Sequence, residues 1–345
     1  MRIIRLPGDS PPEHLPEVVA TIGSFDGVHS GHRSLIGTVM RRTSELGVSS
    51  AVITFEPHPR LVLRPESGLH LLSPVEEKAE LFEAQGVEFL LIWRFDDVLR
   101  NTEPEQFFAE LSRYVRLRSL VHGPGFALGK GRRGTPEVLA QIGEQRGFEV
   151  LQVDPYEQTT GSSTSDAELL TSTSIRAMLQ SGRVEEASWG LLRPPTIYGT
   201  VVEGERVGRT LGFPTANLAV EPQMAVPADG VYAAWAEIDP FTRQARRHPA
   251  AVSIGSRPTF DGSQRAVEAF LLDFSGDLYG HRLRLHIVAR LRGQERFDTL
   301  HSLVEQMHRD VARTRVILSG EETPVPARRD DARRQESTAP ALRRG

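Results

Sequence analysis

At 345 residues with 39% hydrophobic side chains, the chain is long enough for about two domains, each with its own core. A formal net charge of −4 gives no reason to expect a nucleic acid or an anionic membrane as partner. The absence of cysteine excludes disulfides, thiolate zinc sites and Cys nucleophiles; with no apolar leader over Met1 to Pro16 and no run of about 20 apolar residues, a cytoplasmic protein is expected.

The first half alternates short apolar runs with helical segments. Val18 to Ile22 reads as a strand, Gly31 to Leu46 as a helix stopped by Gly47, and Ala51 to Phe55 as the next strand. Ser73-Pro74-Val75-Glu76 predicts a capping box with Ser at the N-cap and Pro at the first helical position. That helix ends at Gly86, and Phe89 to Trp93 follows as a buried strand. Thr102-Glu103-Pro104-Glu105 repeats the same start signal before a helix to about Tyr114. Leu120 to His122 is a strand running into Gly123, Thr135-Pro136-Glu137 opens a helix to Gly147, and Phe148 to Val153 is again a strand. This alternation predicts a parallel, doubly wound sheet with ligands at the carboxyl ends of its strands. Gly161 to Asp166 reads as a flexible loop, a helix pair spans about Ser174 to Gln180 and Val184 to Leu191, and Arg193-Pro194-Pro195 marks the domain border.

Beyond residue 196 the pattern changes. Ile197–Val202, Gly230–Ile238, Ala250–Ile254, Val267–Phe274 and Leu283–Ala289 are short runs separated by Gly, Pro and Asp, which predicts a small antiparallel barrel. Leu300, Leu303, Val304, Met307 and Val311 fall on one stripe of a closing helix, for which packing against the barrel is the ordinary account. The expected domains are residues 1–192 and 193–320, followed by a disordered tail over 321–345 that is rich in charge, Pro and Ser.

Two segments carry chemistry. In Gly23-Ser24-Phe25-Asp26-Gly27-Val28-His29-Ser30-Gly31-His32, two imidazoles flank a glycine at a strand-to-helix junction, one helical turn apart. Free N–H groups at the helix start favour phosphate, and Gly27 and Gly31 let backbone come close to it. Nucleotidyl transfer needs the α-phosphate held in line while charge develops on the departing pyrophosphate, and two imidazoles suffice for that. Thr171-Ser172-Thr173-Ser174-Ile175-Arg176 offers hydroxyls and an Arg at a helix start; alone it is an ordinary N-cap, but beside the His pair it reads as the other side of a triphosphate clamp. Gly129-Lys130-Gly131 fails as a Walker A loop, and Gly123-Pro124-Gly125 lacks the third Gly of a dinucleotide fingerprint. His58, between Pro57 and Pro59, is either a ligand contact or part of a rigid turn.

The second segment is Gly208-Arg209-Thr210-Leu211-Gly212-Phe213-Pro214-Thr215-Ala216-Asn217-Leu218. It sets a hydroxyl and an amide carbonyl two residues apart on a glycine-punctuated loop, hard oxygen donors of the kind that suit Mg²⁺ on a nucleotide phosphate. Strand alternation over Val267–Phe274 puts Glu268 on one face with Phe270, Leu272 and Phe274. A carboxylate so placed is expected to be partly desolvated, with a raised pKa, as a general base for an alcohol requires. Pairing with an Arg or snorkelling to water is the alternative.

Together these residues resemble the prokaryotic bifunctional riboflavin kinase/FAD synthetase family over roughly residues 15–317. The resemblance also rests on Thr54-Phe55-Glu56-Pro57-His58-Pro59, Leu71-Leu72-Ser73 with Glu77-Lys78, Gly255 with Pro258-Thr259-Phe260, and Asp277-Leu278-Tyr279-Gly280. It implies a Rossmann-like FMN adenylyltransferase domain followed by a riboflavin kinase barrel with a C-terminal helix. The implied substrates are riboflavin, FMN and ATP, with Mg²⁺ accompanying ATP. Thr215 and Asn217 match the Mg-ATP positions and Glu268 the base that acts on riboflavin; Gly208 and Gly212 belong to the same loop. In the other domain His29 and His32 match the transferase histidines, with Gly23, Phe25, Gly31, Ser172, Thr173 and Arg176 around the ATP phosphates. His58, Gly125, Phe126 and Leu128 fall at flavin-contact positions.

The chain departs from the family pattern Gly-x-Asn/Asp-Phe-x-Phe-Gly, since Gly125 replaces the polar residue and Leu128 one aromatic ring; Leu192 and Pro195 replace a Gly and a Tyr. Losing an amide or acid and a ring removes hydrogen bonding and about 1 kcal/mol of aromatic contact. The readings beside a two-step enzyme are therefore a riboflavin kinase with an impaired or repurposed first domain, a nucleotidyltransferase for another phosphate ester, and a flavin-binding protein without turnover.

Overall fold

A computed structural model describes residues 1–153, 171–204, 208, 211–259 and 262–320. The loop expected over Gly161–Asp166, the tail over 321–345, Arg209, Thr210 and Phe260 lie outside the described residues. The chain divides into two compact units, Met1–Ser172 and Thr173–Gly345.

The first unit holds strands β1 (Arg2–Leu6), β2 (Glu17–Ile22), β3 (Ser49–Glu56), β4 (Phe89–Arg94), β5 (Arg116–His122) and β6 (Glu149–Gln152). They form one sheet in the order β1-β4-β3-β2-β5-β6, parallel throughout. The helices are α1 (Ser30–Leu46), α2 (Pro59–Leu63), α3 (Val75–Glu83), α4 (Asp97–Arg100), α5 (Pro104–Leu111) and α6 (Pro136–Arg146). Side chains alternate between two cores, which is why the central strands carry apolar residues on both faces. Val18, Ala20, Ile53, Leu91 and Leu120 pack with Phe107, Phe108 and Leu111 of α5 and Leu139 of α6. Val19, Val52, Leu90 and Val121 pack with Ile36 and Val39 of α1 and Phe82 of α3. The predicted doubly wound sheet is present, and the order of its strands reverses between β2 and β5. A crevice opens at such a switch point.

Three local details differ from the sequence expectation. Strand β1, on the sheet edge, was not foreseen; its exposed Arg2, Ile3 and Arg5 hide any alternation. Ser73 does not cap α3: Pro74 is the N-cap residue, and Ser73 Oγ accepts from Gly27 N at 2.9 Å instead. Thr102 does not cap α5 but donates to Val98 O of α4, leaving Glu103 as the N-cap residue.

The second unit begins with α7 (Ser172–Gln180) and α8 (Val184–Leu191), so it takes in the helix pair that the expected border at residue 192 leaves with the sheet. Its barrel is built of β7 (Thr196–Val202), β8 (Ala216–Val220), β9 (Gly230–Ile238), β10 (Arg246–Thr259), β11 (Gly262–Leu271) and β12 (Arg282–Arg292). It closes in the order β10-β11-β8-β7-β12-β9, with every pair antiparallel. Val252, Ile254, Val267, Ala269, Leu283, Leu285 and Ile287 are among the buried apolar residues of its strands.

Helix α9 (Leu300–Ser319) closes the unit. Its buried positions are Asp310, Thr314 and Ile317, whereas Leu300 is 67% exposed. The stripe therefore runs about one turn further along than the apolar spacing suggested. It carries an acid because Asp310 Oδ2 takes Arg292 Nη2 of β12 at 2.8 Å, a pairing that makes burial tolerable. Among the described residues no helix is long and apolar enough to cross a membrane.

Candidate active sites

The turn after β2 sits at the switch point and carries both histidines. Phe25, Gly27 and Val28 all have positive φ (50°, 80° and 42°), an expensive conformation for Phe and Val that surrounding contacts must hold. Those contacts come mainly from the start of α3. Asp26 Oδ1 accepts from Leu72 N (2.9 Å) and Ser73 N (3.3 Å), and Ser73 Oγ takes Gly27 N. The carbonyl of Ser24 accepts from Thr54 Oγ1 and from Lys78 Nζ, both at 3.3 Å. The hydroxyl of Ser172 donates to Asp26 O at 2.9 Å.

The fixed turn delivers His29 as the N-cap residue of α1 and His32 within its first turn. Their rings stack at 3.7 Å between centroids, 24° from parallel, and Phe25 meets His32 edge-on at 5.1 Å. A Cβ on Gly31 would stand 3.3 Å from the His29 ring, and one on Gly23 would stand 3.2 Å from Phe25. Both glycines therefore make room for rings; for Gly31 the sequence expectation was close approach to phosphate. His32 is held well below the usual histidine range, first by burial and then by His29 and Lys78. It is uncharged at neutral pH, so the pair can present N–H donors without both rings carrying charge.

A cavity of about 670 Å³ opens beside these rings. Gly23, Phe25, His29, Gly31 and His32 line one part of it, and Gly125, Phe126 and Leu128 another. Phe55, from a segment that supported the resemblance, lines it from the end of β3, and Phe95, Leu99 and Phe107 add apolar wall that no motif pointed to, from just after β4 and from within α4 and α5. Phe126 stacks on His122 (5.5 Å, 23°). Gly125 has φ +67°, a Cβ there would meet nothing within 4 Å, and its carbonyl accepts from Arg132 Nη2 at 2.8 Å. His58 is outside the lining; its Nδ1 accepts from Arg60 N at 3.1 Å and caps α2, the rigid-turn alternative. Thr173 and Arg176 lie on α7 in the second unit.

In the barrel, Thr215 immediately precedes β8 and Asn217 lies within it, so the second half of the expected loop is a strand. Asn217 stands directly opposite Glu268 of β11, which in turn faces Ser253 of β10. The hydroxyl of Thr215 donates to Glu268 Oε2 at 3.2 Å. Glu268 and Phe270 are half-buried on the outer face, while Val267, Ala269 and Leu271 point inward. Phe213 covers that outer face, edge-on to Phe270 at 5.3 Å and to His308 of α9 at 5.0 Å.

Glycines bring the chain close here as well. Gly208 O accepts from Leu211 N and Phe213 N, and a Cβ on Gly208 would stand 2.4 Å from Phe213 O. Gly212 supplies φ +86°. Gly204, unnoticed in the sequence, lies against Asn217: a Cβ would come within 2.2 Å of Asn217 Nδ2.

Comparison with known proteins agrees with both halves. The FAD synthetase family matches residues 11–167 and the riboflavin kinase family residues 191–318. The chain is 32% identical to a bifunctional riboflavin kinase/FMN adenylyltransferase of Bacillus subtilis, over 86% of this chain and 92% of that one. It is 34% identical to the protein of the same description from Pseudomonas fluorescens, over 92% and 98%. A crystal structure described as a macrolide-efflux protein from Streptococcus pneumoniae superposes with a TM-score of 0.77 at 29% identity, covering 91% of this chain and 98% of that one. With both domains matched and full-length relatives above 30% identity, the chain belongs to the bifunctional riboflavin kinase/FMN adenylyltransferase family.

Proposed function

We propose that this chain phosphorylates riboflavin to FMN and adenylylates FMN to FAD, using one ATP in each step. The observation that carries the kinase half is the Thr215–Glu268 hydrogen bond, with Asn217 in register beside it. Glu268 accepts the proton of the ribityl 5′-hydroxyl as that oxygen attacks the γ-phosphorus of ATP, and ADP leaves. Thr215 and Asn217 fit Mg²⁺: they are hard oxygen donors two residues apart, and Gly204 and Gly208 keep the space around them free of side chains. When bound, the ion neutralises charge on the ATP phosphates. Gly208 and Gly212 shape the loop that receives those phosphates.

In the sheet domain, the FMN phosphate attacks the α-phosphorus of a second ATP, and pyrophosphate leaves. His29, His32 and the free N–H groups at the start of α1 hold the oxygens on which charge grows. Gly23, Phe25 and Gly31 shape that end of the cavity, and Ser172, tied to Asp26 of the turn, takes the phosphate tail. Phe126, Leu128 and Gly125 receive the flavin ring. His58 acts one step back, through α2, whose Pro59 and Leu63 line the cavity. We assign the transferase role to residues 1–192 and the kinase role to residues 193–320. Cytoplasmic residence, without nucleic-acid or membrane partners, completes the proposal, supported by the lack of cysteine and the small net charge.

The test is incubation with riboflavin, ATP and Mg²⁺, followed by separation of FMN from FAD. Accumulation of both products is expected. FMN alone would restrict the function to the kinase, and tight flavin binding with neither product would make the chain a binder.

A further inference from the structure

Lys78 is a charged side chain in an unusual place. It lies on α3, is 3% exposed, and does not line the cavity. Burying an ammonium costs several kcal/mol unless something in the fold uses it. Its Nζ donates to the carbonyl of Ser24, on the turn whose Phe25, Gly27 and Val28 all hold positive φ. The same helix start binds that turn twice more, through Ser73 Oγ with Gly27 N and through Leu72 N and Ser73 N with Asp26.

We propose that Lys78 is a positioning residue of the nucleotidyl-transfer site, holding the Ser24–His29 turn in its left-handed course so that His29 and His32 stay stacked at the mouth of α1. This rests on the adenylyltransferase reading above. Lys78 also acts on His32 through space. Burial pulls its ammonium below the usual lysine range, and Glu56, Asp26 and Glu76 oppose that. The charged groups bearing on His32 are His29 and Lys78, and both favour the neutral ring, adding to its burial.

The experiment uses full-length Lys78→Met and Lys78→Arg, with FAD formation from supplied FMN and ATP, and riboflavin phosphorylation as the control in the same molecule. For Lys78→Met, kcat for FAD formation is expected to fall on the order of 10²-fold, the cost of displacing reacting groups by about 1 Å. KM for FMN should stay within about twofold, because Lys78 does not line the cavity, with kinase turnover and melting temperature unchanged. In NMR, the His32 Cε1–H resonance should titrate at higher pH in the variant. Lys78→Arg keeps the charge and should retain most of the turnover.

Unchanged kcat, or an unmoved His32 titration, would overturn the proposal. So would a loss of FAD formation accompanied by a lower melting temperature, which would mark Lys78 as merely structural. Should Lys78→Met fail to fold, Lys78→Gln beside Lys78→Arg decides: equal turnover in both refutes a role for the charge. Failure of the wild-type protein to form FAD would sink the adenylyltransferase reading instead; this proposal would then be decided by the ring-current shifts of the stacked His29 and His32, whose persistence in Lys78→Met would overturn it.

Discussion

Gly204→Ala separates the kinase site from the fold that carries it. The backbone at Gly204 is not left-handed, so alanine is compatible with it, and such a replacement ordinarily stabilises by about 0.4–1 kcal/mol. The new methyl would nevertheless start 2.2 Å from Asn217 Nδ2, where ordinary contact begins near 3.4 Å. Cγ and Oδ1 of the same amide would stand at 2.4 and 2.8 Å, so the whole group must turn away around χ1 by about 1 Å, a side-chain movement that leaves the backbone in place. That retreat takes Asn217 from the place it shares with Thr215, and a 1 Å error at a reacting centre costs on the order of 10²-fold. The expected result is kcat/KM for ATP in FMN formation down by about that factor, a raised Mg²⁺ requirement, and an unchanged melting temperature. FAD formation from supplied FMN, measured on the same preparation, should be unaffected. Gly208→Ala is the contrast: there the methyl would meet the Phe213 carbonyl at 2.4 Å, backbone cannot give way, and stability should fall with activity. If Gly204→Ala phosphorylates riboflavin within about threefold of wild type, Asn217 is not placed by this contact and the reasoning fails.

Glu268→Gln keeps an acceptor for Thr215 but cannot take a proton, so FMN formation should fall by about 10²–10⁴-fold while ATP binding, read by calorimetry, persists; near-normal turnover would remove it as the base. His29→Ala should block FAD formation from FMN and spare the kinase, and unchanged FAD output would take His29 out of the mechanism. Burial alone would raise the Glu237 carboxyl, but hydrogen bonds from His286 and Arg284 and the charges of Arg284 and Arg247 outweigh it and hold the group down at about 2. A depressed acid contributes stability above its unfolded pKa of about 4.3, and that stability is lost as pH falls toward 2, so the barrel should lose on the order of 2 kcal/mol across this window. Denaturant titrations of wild type and Glu237→Gln test this, and an equal acid slope in both would refute it.

Much of this was legible because backbone rules act locally. Gly47 and Gly147 stop their helices with φ of 66° and 78°, as their positions predicted, and the apolar runs of the first half are the buried centre of the sheet. The two segments proposed to carry the chemistry stood out because their residue types are chemically specific. What stayed hidden depends on distant partners. Ser73 looks like a cap until Gly27, 46 residues away, claims its hydroxyl. The wall of Phe95, Leu99 and Phe107 is assembled by topology alone, and each of these residues reads individually as core. Gly204 carries no signal because its importance is the side chain it lacks. Asp310 broke the apolar stripe of α9 because its partner Arg292 lies on a strand whose position along the helix no periodicity reveals.

The departures at Gly125 and Leu128 take a definite meaning from the cavity. Apolar wall is not what they remove: Phe126 still stacks on His122, Leu128 still packs into the core, and Phe55, Phe95 and Phe107 still line the space. A side chain at position 125 would enter open volume, so the change from a polar residue to Gly leaves room and withdraws a hydrogen-bonding group. The neighbouring carbonyl does not replace it freely, because Arg132 already holds Gly125 O. On the proposed assignment, the wall that would bury a flavin ring is kept while its orientational grip is reduced. Orientation is the larger share of what an enzyme contributes to an in-line displacement that needs no protein nucleophile. The expected signature is a lowered kcat for adenylyl transfer with flavin affinity largely kept, and the kinase site, whose Thr215, Asn217 and Glu268 match the family pattern, stands outside that cost.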